Sequence, residues 1–149
     1  MDALRMATGT LGLDTDDDTE HALRLVAQMQ VLAASYWRML NGAPVPEPKA
    51  ELSHAANYLY LLRGEEPSAA EERAMETYLN TVVDHGLNAS TFTARVIIST
   101  QSDMVSAVVG AIGALKGPLH GGAPGPALDM VFAIGSPERA EPYLRELLE

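Results

Sequence analysis

Apolar residues along the 149-residue chain recur at intervals of three and four, with no run of alternating β-branched residues bounded by turns. That spacing marks helices that bury one face, and it predicts an all-α fold. Met1 to Gly9 predicts a short helix stopped by Gly9 and Gly12. A longer helix is expected over about His21 to Leu40. Its polar residues Arg24, Gln28, Ser35 and Arg38 share one narrow stripe and nearly everything else is apolar, so burial on most sides is expected. Asn41-Gly42 ends it, and the PVPEP segment beyond is an extended linker that cannot be helical. Leu52 to Arg63 predicts the next helix, closed by Gly64. Ser68-Ala-Ala-Glu71 has the spacing of a capping box, and Met75, Tyr78, Leu79, Val82 and Val83 behind it form one helical face.

Two central helices are expected over Asn88 to Thr100 and Ser102 to Lys116. The second begins at a Ser102 or Asp103 cap and ends at Lys116-Gly117-Pro118. Within it Ser106, Gly110 and Ala114 recur at steps of four, with Ala107 and Ala111 alongside. Glycine inside a helix costs about 1 kcal/mol relative to alanine, which is tolerated where another backbone must come close. The expectation is a self-associating face, with Gly110 near the closest approach of two copies across a two-fold axis. Pro124 and Pro126 open a further helix that reaches Ala133 and stops at Gly135. Ser136-Pro137-Glu138 caps the last one, whose apolar face is Ala140, Tyr143, Leu144, Leu147 and Leu148.

Composition narrows the classes of function. With 47% hydrophobic and 20% charged residues the chain is that of a globular domain. It has no cysteine, which removes disulfides and thiolate chemistry. A net charge of −10 argues against nucleic acid or an anionic membrane as partner. No basic region followed by an apolar run opens the chain, and the longest uncharged stretch, Met104 to Leu115, is too short to span a bilayer. A soluble, cytoplasmic protein is expected. The acidic run Asp14 to Asp18 complements the dipole of the helix after it, with Asp18 or Thr19 as cap. It lacks the alternating ligands, glycine and closing glutamate of a calcium loop, and no metal site is expected.

Of the four histidines, His85 and His120 lie at the outer ends of the two nearly uncharged helices, beside glycine or small residues. Packing of such helices ends where a cleft begins, and a small-molecule site is usually built there. His54, in the first turn of its helix, reads as a surface or satisfied core residue. From the residues alone, the favoured reading is that His85 merely packs at a helix end and Asn88 merely caps that helix.

The wording of two long motifs goes further. DHGLNASTFTARV, followed by GALKGPLHGGA, resembles the citrate synthase family, as do NYLYLLRGEEPS and the opening MDALR, so the resemblance covers nearly the whole chain. It implies a mostly helical dimer of large and small domains that condenses acetyl-CoA with oxaloacetate and hydrolyses the citryl thioester. Acetyl-CoA is then a substrate and no cofactor is implied. Residues 1–119 would be part of the large, dimerisation domain and 120–149 the start of the small one. His120 takes the place of the histidine that stabilises the enol of acetyl-CoA, a task suited to a neutral imidazole donating a hydrogen bond. His85 takes the place of a histidine that contacts oxaloacetate, with Asn88 beside it, and Gly121 and Gly122 are expected to leave room for a ligand.

The sequence also departs from the family pattern. LHGGAPGPALDM stands where the family often has LHGGANE, which leaves the choice between acetyl-CoA and the propionyl-CoA of a 2-methylcitrate synthase open. A second catalytic histidine in a GFGHRVY-like motif, a catalytic aspartate and substrate-binding arginines do not appear. The expectation is a central fragment or truncated reading frame, inactive alone. The rival from another class is a non-catalytic helical dimer that keeps only the fold.

Overall fold

A computed structural model describes residues 1–12 and 17–148, which form eight α-helices and no strand. In chain order they are α1 Asp2–Thr8, α2 Asp18–Leu40, α3 His54–Arg63, α4 Ala69–Val82, α5 Ala89–Ile98, α6 Met104–Leu115, α7 Pro124–Ile134 and α8 Pro137–Leu148. The all-α class expected from the sequence is the one found.

The helices begin where a side chain satisfies the free N–H groups of the first turn. The cap of α2 is Asp17, whose Oδ1 accepts from the N–H groups of Thr19 at 2.8 Å and Glu20 at 3.2 Å. That corrects the expectation of Asp18 or Thr19, and residues 14–16 of the acidic run lie outside the described residues. Helix α3 starts at His54 instead of Leu52, because Ser53 Oγ accepts from Ala56 N–H and takes the cap position. Asp103, rather than Ser102, caps α6 through Ser106 N–H at 2.8 Å. The capping box at Ser68 and Glu71 is complete, and Gly64 ends α3 at φ 86°, a left-handed conformation that suits glycine.

Helix α2 lies against α1, α3 and α6, α4 lies on α3, and α5 pairs closely with α6. Most of the core is small or branched: Ala34 of α2, Ala55, Ala56 and Leu61 of α3, and Val105, Ala107 and Ile112 of α6. Burial of α2 on most sides is not met. Leu23, Val26, Met39 and Leu40 are exposed and Trp37 is 55% exposed, because three neighbours cover only part of a 23-residue helix. Among the described residues α7 and α8 approach each other but no other helix, and Phe132 of α7 is 73% exposed.

The proline-rich linker is tied down by two side chains. Arg38 donates from Nε to Pro44 O at 2.7 Å and from Nη1 to Leu62 O at 3.4 Å, joining linker, α2 and the end of α3. Buried Asn57 donates to Lys49 O at 2.6 Å and accepts from Lys49 N–H at 3.1 Å. At the other side of the bundle Lys116 Nζ donates to both carboxylate oxygens of Asp2 at 2.8 Å, linking α1 to the end of α6.

Gly110 has a different neighbour from the one expected. A Cβ there would fall 2.3 Å from Ile97 Cδ1 and 3.5 Å from Thr93 Cγ2, both on α5. The close approach that this glycine permits is therefore within the chain, between α5 and α6. Gly110→Leu should destabilise the fold by about 1–3 kcal/mol through overpacking. Because the clash is internal, the loss measured by chemical denaturation should not depend on protein concentration. A loss that grows on dilution would assign Gly110 to an interface between copies.

Glu71 accepts from Ser68 N–H at 2.7 Å and Ser68 Oγ at 2.8 Å while pairing with Arg63. The Arg63 guanidinium, then the Ser68 donors, hold its carboxyl down to about 2 from an ordinary 4.5. A depressed folded-state pKa contributes stability that is present above the unfolded value and is lost as pH falls through the folded one. Glu71→Gln keeps a side chain that can close the capping box but removes the charge. The melting temperature of the parent should exceed that of Glu71→Gln at pH 7, with the gap closing between pH 4.5 and about 2. A gap constant across that window would show that the pair contributes nothing.

Candidate active site

Helix α4 ends at Val82, and the chain turns through Asp84 to Gly86 before α5 begins. Asp84 Oδ1 accepts from Gly86 N–H at 2.9 Å and Gly86 adopts φ 65°, so this short turn leaves the His85 side chain exposed. Asn88 then caps α5, its Oδ1 accepting from Thr91 N–H at 2.9 Å. The amide nitrogen of Asn88 has no hydrogen-bond partner among the described residues, nor does the ring of His85.

His120 arrives from the other side, on the turn between α6 and α7. His120 N–H donates to Gly117 O at 3.0 Å, Gly121 N–H to Leu115 O at 3.0 Å, and Ala123 N–H to His120 O at 3.2 Å. A Cβ on Gly121 would lie 2.2 Å from Leu115 O, and one on Gly122 2.9 Å from Pro118 O. The two glycines are therefore demanded by the turn's own backbone.

These pieces enclose a cavity of about 700 Å³ between the end of α4, the first turn of α5, the 117–123 turn and the start of α7. His85, Asn88 and His120 all line it, together with Ser90 and Thr91 on one side and Tyr78, Val82 and Leu115 on an apolar side. The three residues singled out in the sequence thus converge. His54 does not join them: it borders a separate groove between α2, α3 and α4 with Gln30 and Tyr58.

Ser90 carries no signal of its own in the sequence, being a small polar residue in the first turn of a helix. The fold gives it a definite role, because its Oγ is hydrogen-bonded to His120 Nε2 across 30 residues of chain. When the hydroxyl donates to Nε2, the ring proton sits on Nδ1 and that nitrogen is free to donate. No lysine, arginine or carboxylate lines the cavity among the described residues. No cluster of three or more His, Asp or Glu among them is placed to hold a metal ion. What the site offers is one imidazole held by a serine hydroxyl, a second imidazole, an amide and hydroxyls beside an apolar wall.

The chain matches the family model described as the citrate synthase C-terminal domain over residues 1–149. It belongs to the citrate synthase family. It is 47% identical over 157 aligned residues to citrate synthase 2 of Bacillus subtilis, an alignment covering 100% of this chain and 42% of that protein. It is 41% identical to the 2-methylcitrate synthase of Mycobacterium tuberculosis, covering 99% of this chain and 39% of that one. The crystal structure of citrate synthase from Thermotoga maritima superposes with a TM-score of 0.79 at 35% identity, over 99% of this chain and 39% of the other. Citrate synthase from Thermoplasma acidophilum, solved as a ternary complex with carboxymethyl coenzyme A and oxaloacetate, superposes with a TM-score of 0.78 at 31% identity, over 97% and 38%. The chain spans about two fifths of the length of these relatives.

The turn that carries His120 makes a direct test of this geometry. Gly121→Ala should force Leu115 O away, break the Ser90–His120 hydrogen bond and cost about 1–3 kcal/mol by overpacking. Gly125, with nothing within 4 Å of an added Cβ, is the matched control and should tolerate alanine. Nitrogen-15 NMR of the imidazole would report the lost bond, and denaturation the lost stability. Equal behaviour of the two variants would mean the turn is looser than described.

Proposed function

We propose that this chain supplies the enol-stabilising half of a citrate synthase site, condensing acetyl-CoA with oxaloacetate to citrate and CoA. The observation that carries the reading is the meeting of His85, Asn88 and His120 in one cavity, with His120 held by Ser90. His120 donates from Nδ1 to the thioester oxygen as the methyl proton leaves and negative charge builds there. Ser90 holds the imidazole in place through Nε2. His85 and the Asn88 amide hold oxaloacetate, whose carbonyl carbon receives the new bond from the acetyl methyl carbon. Water then cleaves the thioester and releases CoA. The base for the methyl proton and cations for the substrate carboxylates are absent from the described cavity lining. In this reading they come from further polypeptide.

The same reading divides the chain at residue 120 into part of the large domain and the start of the small one, which the isolation of α7 and α8 from the other helices supports. Among the described residues no helix is long and apolar enough to cross a membrane. We place the enzyme in the cytoplasm as a homodimer, working without a cofactor. Propionyl-CoA is the second candidate substrate, favoured by the 41% identity to a 2-methylcitrate synthase.

Incubated alone with acetyl-CoA and oxaloacetate, residues 1–149 should release no CoA, whereas a chimera in which they replace the matching segment of the Bacillus subtilis relative should turn over. In that chimera His120→Ala should lower kcat by on the order of 100- to 1,000-fold, the loss expected for one donor to a developing oxyanion. His85→Ala should chiefly raise the KM for oxaloacetate, because a ground-state contact appears in KM. Equal effects of both substitutions on both constants would refute this division of roles, and turnover by the isolated chain would require a base elsewhere in it.

A further inference from the structure

We infer that Leu115 sets the length of acyl chain this site accepts; the inference rests on the citrate synthase-type reading above. Three large apolar side chains face the cavity, Tyr78 and Val82 from α4 and Leu115 from the last turn of α6. Tyr78 is 60% exposed and Val82 40% exposed, so both have open solvent to move into. Leu115 is only partly exposed and is fixed in two ways.

The first restraint is local. Its carbonyl receives the Gly121 N–H at 3.0 Å, and its Cγ and Cδ1 lie 3.1 Å from where a Gly121 Cβ would be. The side chain is therefore wedged against the backbone immediately after His120. The second restraint is the helix it ends, which packs closely on α5 with Ile97 against Gly110. Discrimination by size needs a wall that does not yield, since a side chain that can swing away costs a longer substrate little. Among the three, Leu115 is the most restrained. It lines the same cavity as His120, the donor to the thioester oxygen in the proposed reading, so the carbon chain attached to that carbonyl is placed to meet it.

Trimming this residue opens the wall and keeps the backbone hydrogen bond that its carbonyl accepts from Gly121 N–H. One methylene in an apolar pocket is worth a discrimination of about 10- to 200-fold. The experiment compares kcat/KM for propionyl-CoA and acetyl-CoA, each with oxaloacetate, in the chimera carrying residues 1–149. Leu115→Ala should raise the propionyl-to-acetyl ratio by about tenfold or more. Leu115→Val, a milder change that keeps a branched side chain at the helix end, should move it in the same direction by less. If either folded variant keeps the parent's ratio, Leu115 does not set the limit and the inference is overturned while the citrate synthase-type reading stands. If the parent chimera folds and condenses neither acyl-CoA, the reading itself falls, and the inference with it.

Discussion

The seating of α6 on α5 is the contact on which the rest of the site depends. Gly110 presents no side chain to α5, so the end of the Ile97 side chain packs where a Cβ would otherwise sit. The tight turn at Ser99 to Asp103, with Gln101 at φ 64°, brings α6 back along α5. That antiparallel return places the start of α5, with Asn88 and Ser90, beside the end of α6, from which His120 follows. Glycine costs helix stability at this position, and the close packing of the pair is what offsets it.

A second constraint acts on the turn after α6. Two glycines with ordinary negative φ are needed there for space alone, because any Cβ would strike Leu115 O or Pro118 O. The turn is thus compressed against the helix that precedes it, and His120 has little freedom of backbone. Ser90 then restrains the ring through Nε2. Preorganisation of this kind suits a donor that must act on charge developing during reaction, since no reorganisation is left to be done at that moment.

The periphery is held by weaker forces. The ion pairs Asp2–Lys116, Lys49–Glu66 and Arg63–Glu71 are all substantially exposed, and such pairs contribute little each. Their value is in register: each joins different segments of the chain, and Lys116, paired with Asp2 across 114 residues, lies just ahead of the turn that carries His120. By contrast the apolar side chains left open on α2, α5, α7 and α8, among them Trp37, Phe92 and Phe132, exceed what a small helical core can cover with the neighbours present.

Helix number, order and most ends were legible in the sequence because they follow from local chemistry. A serine, asparagine or aspartate before an apolar period, and a glycine after it, act within four residues of their own position. The Ser68–Glu71 box, the Asn88 cap and the Gly64 stop behaved as their spacing implies. The motifs around His85 and His120 also pointed to the family, since they combine particular residues at particular spacings. What the sequence could not determine was which surfaces meet. The steps of four at Gly110 indicate a close approach without saying to what, and only the fold assigns it to Ile97 of the same chain. The partner of His120 was equally hidden, because a serine 30 residues away is brought to the ring by the reversal between α5 and α6. Caps and stops are decided by neighbours along the chain, whereas partners across the cleft are decided by how whole helices pack.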